Sequence, residues 1–259
     1  SEIGGLQKYA RLNVSSSSDY CHIRQPIEDV TKVPAGTATL SFYAKGTAPA
    51  GGLYAYGNQH FGSGGSSDVD WTAVLITSTL TSDWVRYTAQ ITVPSLDGKT
   101  VGAGSYFLLD IGQHSNSAST AFDLNITGVQ LEVGTEATPF EHRSFGQELA
   151  LCQRYFQKWL ADTASDSVCT GSMISDTGFI GEYYFSNTMR ATPSLSQSGT
   201  YQVRIEANDR ATGSISINRG TTDQVQLFSS LSADNNESGL ACFIKGTSSG
   251  DFLEFDAEL

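Results

Sequence analysis

Apolar and polar residues alternate along much of this chain. The pattern is cleanest over residues 84–93, where Val85, Tyr87, Ala89, Ile91 and Val93 fall on one face and Arg86, Thr88, Gln90 and Thr92 on the other. Period two belongs to a strand with one side in a core and the other in water. Pro94 follows and cannot donate to a continuing ladder. Residues 39–45 repeat the pattern with Leu40, Phe42 and Ala44 inward, and residues 20–27 and 106–111 read as further strands. Phe122, Leu124 and Ile126 share a face, and then Val129, Leu131 and Val133 do; the change of parity across Gly128 predicts a bulge there. Beyond Trp159, the segments 179–185, 200–205, 213–217, 224–228, 240–244 and 252–255 have the spacing of a second sandwich. Gly, Ser, Asp and Asn turns separate these runs, as in antiparallel sandwiches. No period of 20–50 residues is visible, which argues against a solenoid or β-helix.

One helix is predicted. Ser144 and Gln147 fit a capping box, and Phe145, Leu149, Cys152 and Phe156 recur at helical spacing. About three turns of helix are marginal alone. Such a helix must pack on a neighbouring sandwich or on its own copies in an oligomer. The expected organisation is all-β: a first sandwich over 1–143, a linker helix over 144–159 and a smaller sandwich over 160–259.

The length of 259 residues allows one or two domains. Net charge is −12, with 13 acids against 8 bases in 1–143 and 14 against 7 in 144–259. Neither part has a basic block, so the chain lacks the charge that nucleic acid or an anionic membrane surface requires. No apolar run approaches the roughly 20 residues of a membrane span. The start, Ser1-Glu2-Ile3-Gly4-Gly5, shows no basic and apolar regions of a signal peptide. The cysteines (Cys21, Cys152, Cys169, Cys242) have no CxxC spacing, which argues against zinc and redox chemistry. They read as small buried hydrophobes; spacing alone leaves a Cys152–Cys169 bridge open.

Several chemistries fail on context. Residues 246–250 (GTSSG) match G-x-S-x-G, but a strand-like segment follows and the last histidine, His142, comes earlier, so a hairpin turn explains them. Residues 234–239 (DNNESG) resemble half a calcium loop, yet Lys245 stands where its bidentate acid belongs; a polar turn is the better reading. Asp68 and Asp70, in a Gly/Ser-rich stretch, give no stronger metal signal. No pair of carboxylates can be placed across a glycosidic bond from spacing, and His22, His60, His114 and His142 lack metal-hydrolase spacing. No catalytic residue, metal or cofactor is therefore expected.

The binding candidates are aromatic. Tyr54 and Tyr56, two apart, share one strand face, with Leu53 and Ala55 on the other. His60 and Trp71 flank a glycine-rich loop, and Gln113 and His114 follow another strand. Sugar rings stack their C–H faces on aromatic rings, while amide and imidazole groups read hydroxyls. Packing of Tyr54 or Tyr56 in the core or against a neighbouring subunit is the competing reading.

The junction carries a resemblance. Residues 128–143 (GVQLEVGTEATPFEHR) running into 148–156 (ELALCQRYF) resemble a junction in tail-fibre and minor structural proteins of tailed phages. Residues 23–30 (IRQPIEDV), 35–45 (AGTATLSFYAK), 58–66 (NQHFGSGGS) and 81–87 (TSDWVRY) are similar to the jelly roll that precedes it there, itself like carbohydrate-binding modules. The likeness covers most of 1–158 and returns at 189–193 (MRATP) and 256–259 (DAEL). It implies a homotrimeric virion protein that works outside the cell beside other tail proteins, and that attaches without covalent chemistry to a host cell-surface glycan. The alternatives are a polysaccharide depolymerase, or a glycan-binding module of one, and a purely structural fibre domain.

Overall fold

The computed structural model describes residues 8–16, 21–114, 121–231 and 238–258. Among the described residues the chain is all-β with one short α-helix, and it separates into two compact units, residues 8–142 and 143–258.

The first unit is a sandwich of two four-stranded antiparallel sheets. One sheet has the order β1 (Ala10–Val14), β8 (Phe122–Val133), β3 (Gly36–Thr47), β6 (Val85–Val93); the other has β2 (His22–Glu28), β7 (Tyr106–Gly112), β4 (Leu53–His60), β5 (Val69–Thr77). Inward residues of both sheets form one core: Leu40, Phe42 and Ala44 from β3, Ile91 from β6 and Leu124 from β8 meet Leu53 and Ala55 from β4 and Phe107, Leu109 and Ile111 from β7. The alternation read from the sequence is thus the alternation between core and solvent. The bulge is present: the β3–β8 register slips between Ser41 and Tyr43, opposite Gly128, whose φ of 60° suits glycine. Beyond the bulge, Leu131 packs on the core while Val129 and Val133 are exposed.

The second unit opens with α1 (Phe145–Gln153). It then pairs a seven-stranded sheet with a three-stranded one. The large sheet runs β14 (Asn208–Ala211), β13 (Tyr201–Ile205), β17 (Ala241–Gly246), β10 (Ser167–Met173), β11 (Gly178–Tyr184), β16 (Gln224–Ser230), β15 (Ser216–Gly220); the small one runs β12 (Ser194–Ser198), β18 (Phe252–Asp256), β9 (Phe156–Leu160). Leu253 and Phe255 of the small sheet pack against Val203, Ile205, Phe179, Leu227 and Ile244 of the large one.

Here the structure departs from the sequence reading in four places. The capping box forms, with Ser144 and Gln147 bonded reciprocally, but the helix ends at Gln153 and none of its residues is buried. Phe156 begins β9 instead, because pairing with β18 takes the backbone: Ala257 N–H donates to the Tyr155 carbonyl at 2.8 Å. Gln157 fixes this junction, donating to the carbonyls of Gln153 and Asn187 at 3.0 and 2.7 Å and accepting from Ser186 N–H at 2.9 Å. The strand expected over 213–217 lies at Ser216–Gly220, and β1, β9, β10, β12 and β14 carry too little apolar alternation to be seen in the sequence. All four thiols are free; Cys169 and Cys242 are buried, but Cys152 is exposed on α1, so no Cys152–Cys169 bridge exists. Burial pushes the Cys169 thiol up to about 12. Residues 246–250 do form a turn, but it connects β17 in the large sheet to β18 in the small one and is not a hairpin. The Asp251 carboxylate holds that turn by accepting from Thr247 and Ser248 N–H at 2.8 and 2.9 Å. The calcium-like stretch 234–239 lies largely outside the described residues.

Candidate functional site

The outer face of the sheet β2-β7-β4-β5 carries most of the aromatic candidates. Because Leu53 and Ala55 point into the core, Tyr54 and Tyr56 point outward, and cross-strand register sets their neighbours. Tyr54 pairs with Gly112, which pairs with His22; Tyr56 pairs with Asp110, which pairs with Arg24; His60 pairs with Tyr106, which pairs with Glu28. These form three lateral rows of side chains on one solvent-facing surface.

The first two rows make one cluster. The His114 ring lies 5.5 Å from that of Tyr54 and 4.9 Å from that of Tyr56, and the His22 ring is 5.7 Å from that of Tyr56. Gly112 leaves room for this grouping: a Cβ there would come within 2.3 Å of the Cys21 carbonyl oxygen. Tyr56 Oη donates to the Gln113 carbonyl at 2.9 Å and lies 2.8 Å from His22 Nδ1. One phenolic proton serves one acceptor, so this network assigns a proton to His22 Nδ1, which donates to the Tyr56 oxygen. Burial lowers the His22 pKa, with Arg24 acting the same way and Asp110 opposing. Asp110 is the buried charge of the site. Its carboxylate accepts from Arg24 Nε and Nη2 at 2.8 Å each, a bidentate pair that offsets its desolvation.

The second cluster lies further along β4. The His60 ring stacks on Tyr106 at 4.5 Å and 25°, and its Nδ1 lies 2.9 Å from Asp68 Oδ1. From Tyr56 to His60 is four residues of strand, about 13 Å at about 3.3 Å per residue. Rings and hydrogen-bonding groups therefore stand at both ends of a track along the sheet.

Two expected residues are not on this surface. Trp71 is 4% exposed and sits inside the sandwich, stacked on Phe107 at 5.9 Å, with Nε1 donating to the Leu108 carbonyl at 3.1 Å. It belongs to the core because its position on β5 falls opposite Gly57, and a Cβ at Gly57 would come within 2.0 Å of the Leu108 carbonyl oxygen and 3.1 Å of the Trp71 indole nitrogen. The Gln113 side chain is buried as well; what that residue gives the cluster is its carbonyl, the acceptor for Tyr56. Conversely, His22, Arg24, Asp110 and Tyr106 escaped the sequence reading. The period-two spacing of His22 with Arg24 and of Asp110 with Gly112 was visible, but only the order β2-β7-β4 places them beside Tyr54 and Tyr56.

Among the described residues, no group of three or more His, Cys, Asp or Glu side chains could hold a metal ion. No family model matches the chain, and no curated protein does. A solved structure with some likeness is the tripod from the baseplate of bacteriophage Tuc2009, at 13% identity and a TM-score of 0.34, over 93% of this chain and 81% of that one. A likeness this loose assigns neither ligand nor role.

Proposed function

We propose that the chain is a phage virion protein that attaches to a host cell-surface glycan without transforming it, and that the outer face of β2-β7-β4-β5 is its saccharide-binding surface. The observation that carries the proposal is the pair of aromatic and polar clusters, Tyr54, Tyr56, His22 and His114 at one end and His60 with Tyr106 at the other, on a half-exposed sheet face. Ring faces supply apolar area for sugar C–H groups, and the imidazoles and phenols supply directional donors and acceptors. The resemblance of residues 128–156 to phage tail-fibre junctions supports the virion setting.

Single sites of this kind bind weakly, because sugar hydroxyls exchange water for protein at little net gain. Assembly as a homotrimer would raise avidity. Helix α1 offers a surface for that assembly, since Phe145, Leu149 and Leu151 stand 82%, 42% and 45% exposed. The second unit is then the assembly knob.

The test is a glycan array probed with the intact chain and with Tyr54→Ala and Tyr56→Ala. Loss of one stacking ring is expected to weaken binding by roughly three- to tenfold, with far-ultraviolet circular dichroism unchanged. A blank array with a stable oligomer supports a purely structural protein, and release of reducing ends from a bound polysaccharide supports a depolymerase; either outcome ends the proposal.

A further inference from the structure

We infer that this face selects uncharged or amine-bearing saccharides and rejects those carrying uronate, sulfate or phosphate groups; this rests on the saccharide-binding reading above. The four strands of the sheet contain a single basic residue, Arg24, against three acids, Glu28, Asp70 and Asp110. Arg24 is largely committed: its Nε and Nη2 donate to the two Asp110 oxygens at 2.8 Å, so its charge is offset by a carboxylate 2% exposed. An acidic sugar reaching the remaining Arg24 N–H groups would meet a guanidinium already neutralised by Asp110, and taking Arg24 fully would strand that carboxylate, which burial makes costly.

The remaining charges at this face are negative. Glu28 lies in the row of Tyr106 and His60, Asp70 pairs in register with Asn58 on β4, and Asp68 touches His60. Lys32 and Lys99 lie off the strands of this sheet: Lys32 ends a 3-10 turn after β2, and Lys99 projects over the Phe61 ring. A carboxylate or phosphate laid along the track from Tyr56 to His60 would come within a Debye length of these like charges and be repelled. An ammonium group would be attracted by the same charges. Neutral sugars meet only the rings and hydrogen-bonding groups.

The experiment uses the full chain on an array that holds neutral, amino and acidic oligosaccharides of equal length, at pH 8 and low salt. Bound members drawn from the neutral and amino sets, with acidic analogues at least about tenfold weaker, support the inference. The triple variant Glu28→Gln, Asp68→Asn, Asp70→Asn should narrow that gap while the neutral ligands hold their affinity. Preferential binding of uronate- or phosphate-bearing members, lost in Arg24→Gln but kept in the triple variant, overturns the inference and leaves the saccharide-binding reading standing. A wholly blank array overturns both.

Discussion

Replacing Trp71 by alanine separates a core residue from a ligand contact. The indole is 4% exposed, stacks on Phe107 and donates to the Leu108 carbonyl. Truncation removes a large buried ring, leaves a cavity between the two sheets and strips a buried carbonyl of its donor. Buried Trp→Ala changes cost roughly 3–5 kcal/mol, a large part of the roughly 5–15 kcal/mol that keeps a domain folded. With a urea dependence of about 2 kcal/mol/M, the first unit's unfolding midpoint should fall by about 2 M. The assay is urea unfolding followed by circular dichroism and by fluorescence of the remaining tryptophans, run beside glycan binding corrected for the folded fraction. Binding per folded molecule should be kept. A midpoint unchanged to within about 0.5 M together with lost binding would refute the placement of Trp71 in the core, and with it the β5 register against Gly57.

Other perturbations probe other links. Gln157→Ala removes three hydrogen bonds that a buried side chain makes around the start of β9; about 2–3 kcal/mol should be lost from the second unit alone, read as a lower midpoint in the isothermal unfolding of that unit. Gly57→Ala forces a Cβ to within 2.0 Å of the Leu108 oxygen, so β4 and β7 must part; a loss of about 2 kcal/mol or more in the first unit is expected, and a neutral substitution would show that the strands lie further apart. His22 has a folded pKa below its ordinary 6.5, so its neutral form favours the native state. That contribution is fully present above 6.5 and is lost as pH falls through the folded value, because the unfolded chain takes the proton more readily. Stability measured between pH 7.5 and 5 should decline in the wild type and decline less in His22→Asn; identical profiles would remove His22 from the Tyr56 network.

The parts of the fold legible in the sequence were those set by local alternation. β3, β6, β7 and the bulge at Gly128 follow from side chains that choose a face two by two, and the capping box at Ser144 follows from a local exchange of hydrogen bonds. The end of α1 was not legible, because Phe156 continues the helical spacing while the ladder to β18, almost a hundred residues away, claims its backbone. Likewise β10 contains Gly171 and Ser172, whose strand character comes from neighbours on both sides and not from its own composition. The candidate site was half legible. Tyr54 and Tyr56 could be placed on one face from spacing, but Trp71 could not be told from a surface ring, since an isolated tryptophan beside glycines looks the same in both settings. His22, Arg24 and Asp110 needed strand order, which is a long-range property.

The most direct test of the central claim is the mapping of a bound glycan by nuclear magnetic resonance on the full chain. With an oligosaccharide taken from the array, saturable shift changes are expected at Tyr54, Tyr56, Tyr106 and His114 and their strand neighbours, with the core signals of Trp71 little moved. Saturable changes confined to residues 143–258, or none on β4 and β7, would contradict the assignment of this face as the binding surface.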